Sequence, residues 1–420
     1  MAVAATSQGQ VRVSQFSGAE QRTFEEMIAV GEAASALAQL DSRIAQITEA
    51  RGRDTDEIVG PLILKGNALH ELGYYDAALN TYDDARAIRR RHHGLHDLQQ
   101  VGILYSEAET YYAQKQYHAA NDRYEYAFSL YRRNYGSESP AILPGLYRLA
   151  DWYMDTHNFF TARGLYELAL DKWADDDSID PQSRAKALSS LADTYRYEAF
   201  PPTGFTWKTE KFTPRPYGSI NHPEQYYAEL NDYVKGEEAL LELVKMYMAR
   251  EPQTSLTLAD AKLQLGDWYL LFEQYKKANI VYGDIWHTLS GTDQFSFVEE
   301  NMMSPHAIHA PLPNGPDQPD EDSTRIYTEQ EGKIEFELTV TEKGLTKNIR
   351  KISSFPGNML TRETKQAIED SLYRPKFVDG VAVATEQVPF SHTFSYYRSE
   401  RRPAAKRTPN TSNATSHQAN

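Results

Sequence analysis

The stretch Gly66-Asn-Ala-Leu-His-Glu-Leu-Gly-Tyr-Tyr75-Asp-Ala-Ala78-Leu-Asn-Thr-Tyr82-Asp-Asp-Ala85 decides the fold of this chain. Its apolar residues recur every three or four positions, which predicts helices that each bury one face. Leu72 and Gly73 interrupt the pattern, and glycine suits the left-handed turn that ends a helix. Ala78 is small, as is required where two helices cross closely. The stretch therefore predicts a helical hairpin.

The second helix of this hairpin carries a pattern that recurs at a fixed distance. A small residue is followed by an aromatic residue four positions later, and by another small residue three positions after that. This triplet occurs at Ala78/Tyr82/Ala85, Ala120/Tyr124/Ala127 and Ala162/Tyr166/Ala169, each 42 residues after the one before. It returns at Ala278 and Tyr282, with Ile285 in the third place. Since a period of this size marks stacked supersecondary units, the chain is predicted to be an array of hairpins.

The same register accounts for many of the 28 tyrosines. At repeat positions, packing is a simpler explanation of a tyrosine than partner binding. Twelve tyrosines fall on such positions and are predicted to lie in the core: Tyr75, Tyr82, Tyr111, Tyr117, Tyr124, Tyr153, Tyr166, Tyr195, Tyr233, Tyr269, Tyr275 and Tyr282.

The fourth hairpin is interrupted. Its first helix keeps the register, because Asp193 follows Asp151 by 42 residues. The next anchor falls in a proline-containing segment that begins at Phe200 and cannot be a helix interior. Taking Gly236 as the displaced small residue restores the spacing to Ala278 and places a 32-residue insertion between the two helices. The insertion is expected at 199–225.

This pattern resembles the tetratricopeptide (TPR) repeat, whose usual length is about 34 residues. The longer period resembles the variant found in kinesin light chains and many bacterial scaffolds. The resemblance implies an α-helical solenoid, here over 59–300, whose first helices line a concave groove. The N-terminal segment 1–58 contains an Ala- and Leu-rich stretch, 24–50, that can form a capping hairpin, because end units of arrays are atypical.

The hydrophobic period changes to two after a Pro-, Asp- and Asn-rich linker at 301–323. Ile334, Phe336, Leu338 and Val340 alternate with polar residues and predict a strand. A turn at Gly344, a second strand at 345–352, a helix at 361–372 and a third strand near Phe377 follow. After a hairpin turn at Asp379-Gly380, a last strand is expected at 381–397. The predicted order in this small α+β domain, 324–397, is β-β-α-β-β, and a disordered tail is expected at 398–420.

The phrase Leu372-Tyr-Arg-Pro-Lys-Phe-Val-Asp-Gly380 and this strand order resemble the C-terminal domain of TonB-type energy transducers. The motif residues are Tyr373, Arg374, Pro375, Phe377 and Gly380. The resemblance implies that an edge strand accepts a strand from a partner, such as an outer-membrane or envelope protein. The family's N-terminal membrane helix and the tyrosine-proline element before its first strand are missing from this sequence.

Bulk composition excludes several classes of function. The formal net charge of −15 disfavours nucleic-acid binding, which requires a basic surface. The chain has no cysteine, so disulfides, thiol nucleophiles and cysteine-ligated metals are excluded. No apolar run is long enough to span a bilayer, so no integral membrane segment is expected. The first ten residues lack signal-peptide features. A periplasmic location is expected if a leader was removed before this numbering, and a cytoplasmic one otherwise.

The candidate partner-binding groove follows from the 42-residue period. One position of the first helices holds Asn67, Glu109, Asp151, Asp193 and, after the insertion, Asp267. The nearby positions Tyr105 and Tyr147 complete the set. Mostly acidic side chains predict a protein or peptide partner with basic or neutral segments. The alternative is that these acids form ordinary solvated faces.

The aromatic residues of the insertion allow two interpretations. Trp207 and Phe212 can anchor a partner, since binding hot spots favour large aromatic side chains. They can equally pack onto the array and hold a long loop in place.

No catalytic constellation, cofactor motif or metal site is predicted. His92, His93 and His96 cluster near a helix end with few carboxylates at ligand spacing. Together with the acidic groove, the resemblances to TPR repeats and to the TonB C-terminal domain imply a non-enzymatic scaffold in the bacterial cell envelope. Two alternatives stay open: a cytoplasmic TPR adaptor with a structural C-terminal domain, and a hydrolase with a site near the aromatic insertion.

Overall fold

The computed structural model describes residues 16–173, 176, 179–201, 233–313, 315–316 and 326–400. The chain divides into two compact units. Unit 1 comprises Met1–Phe200 and Thr206–Met246, and unit 2 comprises Pro201–Phe205 and Tyr247–Asn420.

The described part of unit 1 is helical, and each of the first eight helices packs against the helix that follows it. The helices are α1 (Gly18–Ala29), α2 (Ala33–Arg51), α3 (Val59–Glu71), α4 (Tyr75–His93), α5 (Gln100–Ala113), α6 (Tyr117–Tyr135), α7 (Leu143–Asp155), α8 (Phe159–Lys172), α9 (Pro181–Ala199) and α10 (Tyr233–Arg250), whose last turn extends into unit 2. The predicted hairpins are α3–α4, α5–α6 and α7–α8. Helices α1 and α2 form where a capping hairpin was expected.

The hairpin turns share one geometry. The second residue after each first helix has a left-handed backbone, with φ of 77° at Gly73, 61° at Lys115 and 59° at His157. The N–H of the following residue donates to a carbonyl five positions back, as at Tyr74 to Leu69, 2.9 Å. This is the six-to-one hydrogen bond of a Schellman turn, which satisfies a carbonyl left free at a helix end. Glycine marks the turn in the sequence only in the first of these hairpins.

The core of each hairpin lies where the small and aromatic residues predicted it. Ala78, Ala120 and Ala162 are fully buried, and the tyrosines four positions later are buried too. The expectation for the twelve repeat tyrosines is correct for seven of them. It is wrong for five, which are only half-buried and lie within one turn of a helix end: Tyr75, Tyr111, Tyr117, Tyr233 and Tyr275.

The interruption of the fourth hairpin separates α9 from α10. Helix α9 continues through Ala199, and Gly236 is buried in α10, as expected for the displaced small residue. Trp207 and Phe212 lie outside the described residues, so the two interpretations of these aromatics stay predictions.

Unit 2 combines a helical hairpin with a sheet domain. Its elements are α11 (Leu256–Leu271), α12 (Tyr275–Leu289), α13 (Ser296–Met302), β1 (His306–His309), β2 (Ile326–Val340), β3 (Thr346–Phe355), α14 (Thr361–Glu369), β4 (Leu372–Arg374), β5 (Lys376–Val378), β6 (Val381–Val383) and β7 (Thr385–Glu400). The α11–α12 hairpin repeats the turn geometry, with φ of 60° at Glu273.

The main sheet has the strand order β3-β2-β7, and all its neighbours are antiparallel. Its buried face carries Ile334, Phe336, Leu338 and Val340, the alternating residues of the predicted strand. Helix α14 supplies Ile368 to the same core. Two small antiparallel pairs, β1 with β4 and β5 with β6, complete the described strands.

Several predicted boundaries of this domain were wrong. The helix expected at 361–372 ends at Glu369, because Leu372 pairs with His309 of β1. Residues 306–309 therefore form a strand inside the stretch that was expected to be a linker, with Ile308 buried. Strand β7 continues to Glu400 because it pairs with β2 back to Ile326. The expected last strand is divided into β6 and β7.

Candidate functional site

A polar side chain of the first helix and the repeat tyrosine of the second helix form one pair in three hairpins. The Tyr82 hydroxyl donates to Asn67 Oδ1 at 2.8 Å, and the Tyr166 hydroxyl donates to Asp151 Oδ1 at 2.7 Å. In unit 2 the Tyr282 hydroxyl donates to Asp267 Oδ1 at 2.6 Å. In these three hairpins the predicted groove position therefore has an internal role, since it satisfies a largely buried hydroxyl.

Glu109 has a different partner. Arg148 of α7 donates from Nη2 to Glu109 Oε1 at 2.6 Å. The guanidinium carbon of Arg148 lies 5.5 Å from the ring centre of Tyr105 and 5.8 Å from that of Tyr124. Tyr124 also stacks on Trp152 of α7, with ring centres 4.7 Å apart. Helix α7 thus covers the α5–α6 hairpin with a cation and an aromatic ring.

Asp151 is contacted in a similar way by α9, the first helix of the following hairpin. Lys186 of α9 donates from Nζ to Asp151 Oδ2 at 2.6 Å. Tyr147 stacks on Tyr166 with ring centres 6.4 Å apart. Burial and the charge of Asp151 raise the pKa of Tyr166 above its usual value of 10, so its hydroxyl stays protonated and able to donate.

Asp193 has a weaker contact with a cation. Its Oδ1 lies 3.7 Å from Nη1 of Arg196, one turn later on α9. Desolvation raises the pKa of Asp193 to about 6, although Arg196 acts in the opposite direction. This carboxyl group therefore changes its charge close to neutral pH.

The predicted groove residues of unit 1 are connected by these contacts. Ion pairs join α5 to α7 and α7 to α9, so these first helices lie side by side and present Tyr105, Glu109, Tyr147 and Asp151 on one connected surface. Arg148 and Lys186, which sequence reasoning missed, neutralise part of its acidity. The spacing of these two residues from the acidic position of their own helix differs, three residues for Arg148 and seven for Lys186, so no shared sequence signal identified them.

Asp267 lies in unit 2, where it meets the C-terminal motif. Arg374 of β4 donates from Nε and Nη2 to the two oxygens of Asp267, at 2.9 and 2.7 Å. Its Nη1 donates to the carbonyl of Asn301 in α13 at 2.7 Å. Burial opposes the charged form of Arg374, but Asp267 and Tyr282 outweigh it and raise the pKa of the guanidinium. Two residues predicted in separate sites therefore form one buried ion pair.

The other motif residues are also directed into unit 2. Phe377 is fully buried, and its ring centre lies 5.1 Å from that of Tyr282. Tyr373 belongs to the core of the sheet domain, and Pro375 is buried beside it. A Cβ atom on Gly380 would lie 3.1 Å from Nε2 of His287 in α12. These motif residues therefore take part in packing within unit 2.

Strand β7 forms one edge of the main sheet. It pairs with β2 along one side, and within the described residues no strand pairs with its other side. Pro389 lies in β7, and proline, which has no N–H, is tolerated in edge strands whose N–H side faces solvent. On the opposite edge, the residue before β3, Leu345, bridges to Leu372.

The described part of the chain contains no metal-binding cluster and no helix that could span a membrane. His93 contacts Asp56 at 3.1 Å, whereas His96 contacts Arg133 at 2.7 Å, so these histidines do not converge. No group of three or more His, Asp or Glu side chains among the described residues could hold a metal ion. None of the helices in the described ranges is both long and apolar enough to cross a membrane.

A family model matches the C-terminal part of the chain. Residues 325–394 match the family model described as Gram-negative bacterial TonB protein C-terminal. The chain combines TPR-like hairpins with a TonB-like domain. No curated protein matches the chain in sequence.

Two solved structures are similar to this chain. Nearly identical TPR-like repeats, from a Podosopora anserina protein described as a kinesin light chain, share 14% identity and a TM-score of 0.41. That match covers 57% of this chain and 98% of that chain. BtubC (BKLC) from P. vanneervenii shares 14% identity, with a TM-score of 0.42 and coverage of 72% and 99%.

Proposed function

We propose that this protein is a non-enzymatic scaffold of the bacterial cell envelope that brings two protein partners together. One partner, with basic or neutral segments, binds the connected surface of α5, α7 and α9. The second adds a strand to the edge of the TonB-like domain. The observation that carries the proposal is the presence, in one chain, of hairpins of an interaction fold and a sheet with an open edge.

The charge and shape of the helical surface support the first partner. Glu109 and Asp151 are accessible to solvent in spite of their contacts with Arg148 and Lys186. The aromatic rings of Tyr105 and Tyr147 lie beside them and offer apolar contact area. A basic segment can displace the exposed ammonium group of Lys186, because surface ion pairs contribute little to stability.

The groove is tested with short synthetic peptides of basic, neutral and acidic composition and fluorescence anisotropy. The triple variant Glu109→Lys, Asp151→Lys and Asp193→Lys should abolish binding of the basic peptide. The matched control reverses the same number of charges on exposed positions of the second helices: Asp84→Lys, Asp122→Lys and Asp171→Lys. Equal loss in both triple variants would show that only net charge matters, which favours the solvated-face interpretation.

The open edge of β7 supports the second partner. Strand addition uses main-chain N–H and C=O groups, so it does not require the buried motif residues. This places the proposed contact at exposed β7 residues such as Ser391, Thr393 and Ser395.

The absence of cysteine allows a direct test of this edge. Ser395→Cys on β7 and the control Ser353→Cys on β3 each introduce a unique thiol for a photo-crosslinker. A partner that adds a strand to β7 should crosslink to the first variant and not to the second. A partner that binds equally well but crosslinks only through β3 would contradict the proposal.

The burial of Arg374 and Phe377 favours one alternative, an adaptor whose C-terminal domain is structural. The two functions differ in location and in the use of β7. Fractionation of cells producing the protein from its native gene start decides the location. Recovery outside the envelope, together with no β7 crosslink, would favour the adaptor.

A further inference from the structure

We propose that the TonB-like domain caps the last helical hairpin by replacing the hairpin that would follow it. Arg374 and Phe377 supply to α11–α12 the cation and the aromatic ring that a neighbouring hairpin supplies elsewhere in the chain. This inference concerns the motif itself and holds whether or not the protein is a scaffold.

The junction between α5–α6 and α7 shows what a following hairpin provides. Glu109 is an acidic residue of a first helix, and Tyr124 is the repeat tyrosine of the second. Helix α7 gives Arg148 to the carboxylate of Glu109 and the ring of Trp152 to Tyr124. An acid and a tyrosine of one hairpin are thus covered by a cation and an aromatic residue of the next.

The α11–α12 hairpin presents the same two groups. Asp267 occupies the acidic position, and Tyr282 is the repeat tyrosine. No further repeat pattern follows α12 in the sequence. The guanidinium of Arg374 binds the carboxylate of Asp267. The ring of Phe377 packs edge-on against the ring of Tyr282, with an interplanar angle of 62°. Both chemical roles of a following hairpin are therefore filled by strands β4 and β5.

The replacement is tighter than the contact that it imitates. Arg374 holds Asp267 with two hydrogen bonds, from Nε and Nη2, and its third nitrogen, Nη1, donates to a carbonyl of α13. This fork geometry is specific to arginine and carboxylate. Arg148, in contrast, is joined to Glu109 by one hydrogen bond and is partly exposed. A terminal cap is expected to cover the last hairpin without a further repeat after it.

Backbone packing supports the same role. Gly380 approaches Trp286 and His287 so closely that a Cβ atom would lie 3.1–3.3 Å from their side chains. A Cβ atom on Gly283 of α12 would lie 3.6 Å from the carbonyl oxygen of Gly380. The β5–β6 turn therefore rests directly on the second helix of the hairpin.

The proposal predicts that the last hairpin and the TonB-like domain open together. Hydrogen exchange of the full chain is measured for Arg374→Gln and, as the matched control, for Arg350→Gln, an exposed arginine of β3 paired with Glu337. Arg374→Gln should raise amide exchange in α11–α12 and in the sheet domain by about two orders of magnitude, since it leaves a buried carboxylate unpaired. Exchange in α3–α6 should not change, and Arg350→Gln should change neither region.

The result that overturns the proposal is faster exchange in the sheet domain with unchanged protection in α11–α12. If Arg374→Gln does not fold, Phe377→Leu provides a milder second variant, because it keeps an apolar side chain but removes the ring contact with Tyr282. It should raise exchange in α12 and the sheet domain together, by about tenfold. Protection of α12 equal to that of the unchanged protein would contradict the cap.

Discussion

Asp151 and Asp267 begin from the same arrangement and end in different environments. Each accepts a hydrogen bond from the tyrosine 15 residues later in its hairpin. The Asp151 side chain is 27% exposed, and its cation, Lys186, is 57% exposed. The Asp267 side chain is 13% exposed, and Arg374 is 5% exposed. One repeat pattern therefore produces a solvent-accessible ion pair in unit 1 and a largely buried ion pair in unit 2.

The difference is determined by the group that meets the carboxylate. Lysine is a flexible point charge that remains hydrated while it contacts Asp151. Arginine offers a planar fork that matches both carboxylate oxygens, and it is less strongly hydrated, so it tolerates burial. A buried pair depends strongly on both partners, whereas an exposed pair contributes little. The Asp151 site is thus suited to exchanging partners and the Asp267 site to holding one.

The largest expected effect separates these two carboxylates. Asp267→Asn should reduce the free energy of unfolding by about 3 kcal/mol, because it leaves the Arg374 charge buried without its counter-ion. Asp151→Asn should reduce it by less than about 1 kcal/mol. Urea unfolding of both variants measures the difference. Equal losses would mean that the Asp267 site is no more than a surface ion pair.

The residue before each aspartate provides a second comparison. Gly266 precedes Asp267, and a Cβ atom there would lie 2.5 Å from the Tyr282 ring, whereas Ala150 precedes Asp151 and is accommodated fully buried. Gly266→Ala should cost about 2 kcal/mol, because the ring must move in a packed core. Gly102→Ala, in an open helical position, should instead stabilise by about 0.5–1 kcal/mol. Thermal unfolding of the two variants should show shifts of opposite sign.

Removal of the tyrosine hydroxyl should also cost more stability at the Asp267 site than at the Asp151 site, but the difference should be smaller. Tyr282→Phe leaves Asp267 with one donor fewer in the more buried site, and a loss of about 2 kcal/mol is expected. Tyr166→Phe should cost about 1 kcal/mol, because water can reach Asp151. Chemical denaturation of the two variants tests the order, and a larger loss for Tyr166→Phe would contradict the assignment of the closed site.

The smallest expected effect is a pH dependence of the accessible surface. The pKa of Asp193 is raised to about 6, so this carboxyl group is negative above that pH and neutral below it. Binding of a basic peptide to unit 1 should therefore weaken by a few-fold as pH falls through about 6. Anisotropy titrations at several pH values should show this step in the unchanged protein and not in Asp193→Asn. Persistence of the step in the variant would assign it to another group.

The hairpins could be predicted from the sequence because their information is local. The spacing of Ala78 and Tyr82 recurs in later hairpins, and the two helices of each uninterrupted hairpin are separated by only a few residues of chain. The later hairpins keep the same turn geometry at Lys115 and His157, although neither position holds a glycine. The helix and strand ends near Leu372 could not be predicted, because they depend on pairing with β1, more than 60 residues earlier.

The candidate site was only partly predictable for the same reason. The period identified Glu109, Asp151 and their neighbours as one set of positions. It did not reveal that Arg148 and Lys186 are bound to them, because a contact between successive hairpins depends on how the helices pack.

The sequence by itself determined that this chain contains repeating helical hairpins followed by a small TonB-like sheet domain. Periodicity of three to four residues, then of two, specifies which faces are buried, and that requirement acts over a few turns or one strand. Only the tertiary structure decided that Asp267 belongs to a largely buried ion pair. Its partner Arg374 is 107 residues away, and no local pattern encodes a pair between a helix and a strand that are so distant in the sequence.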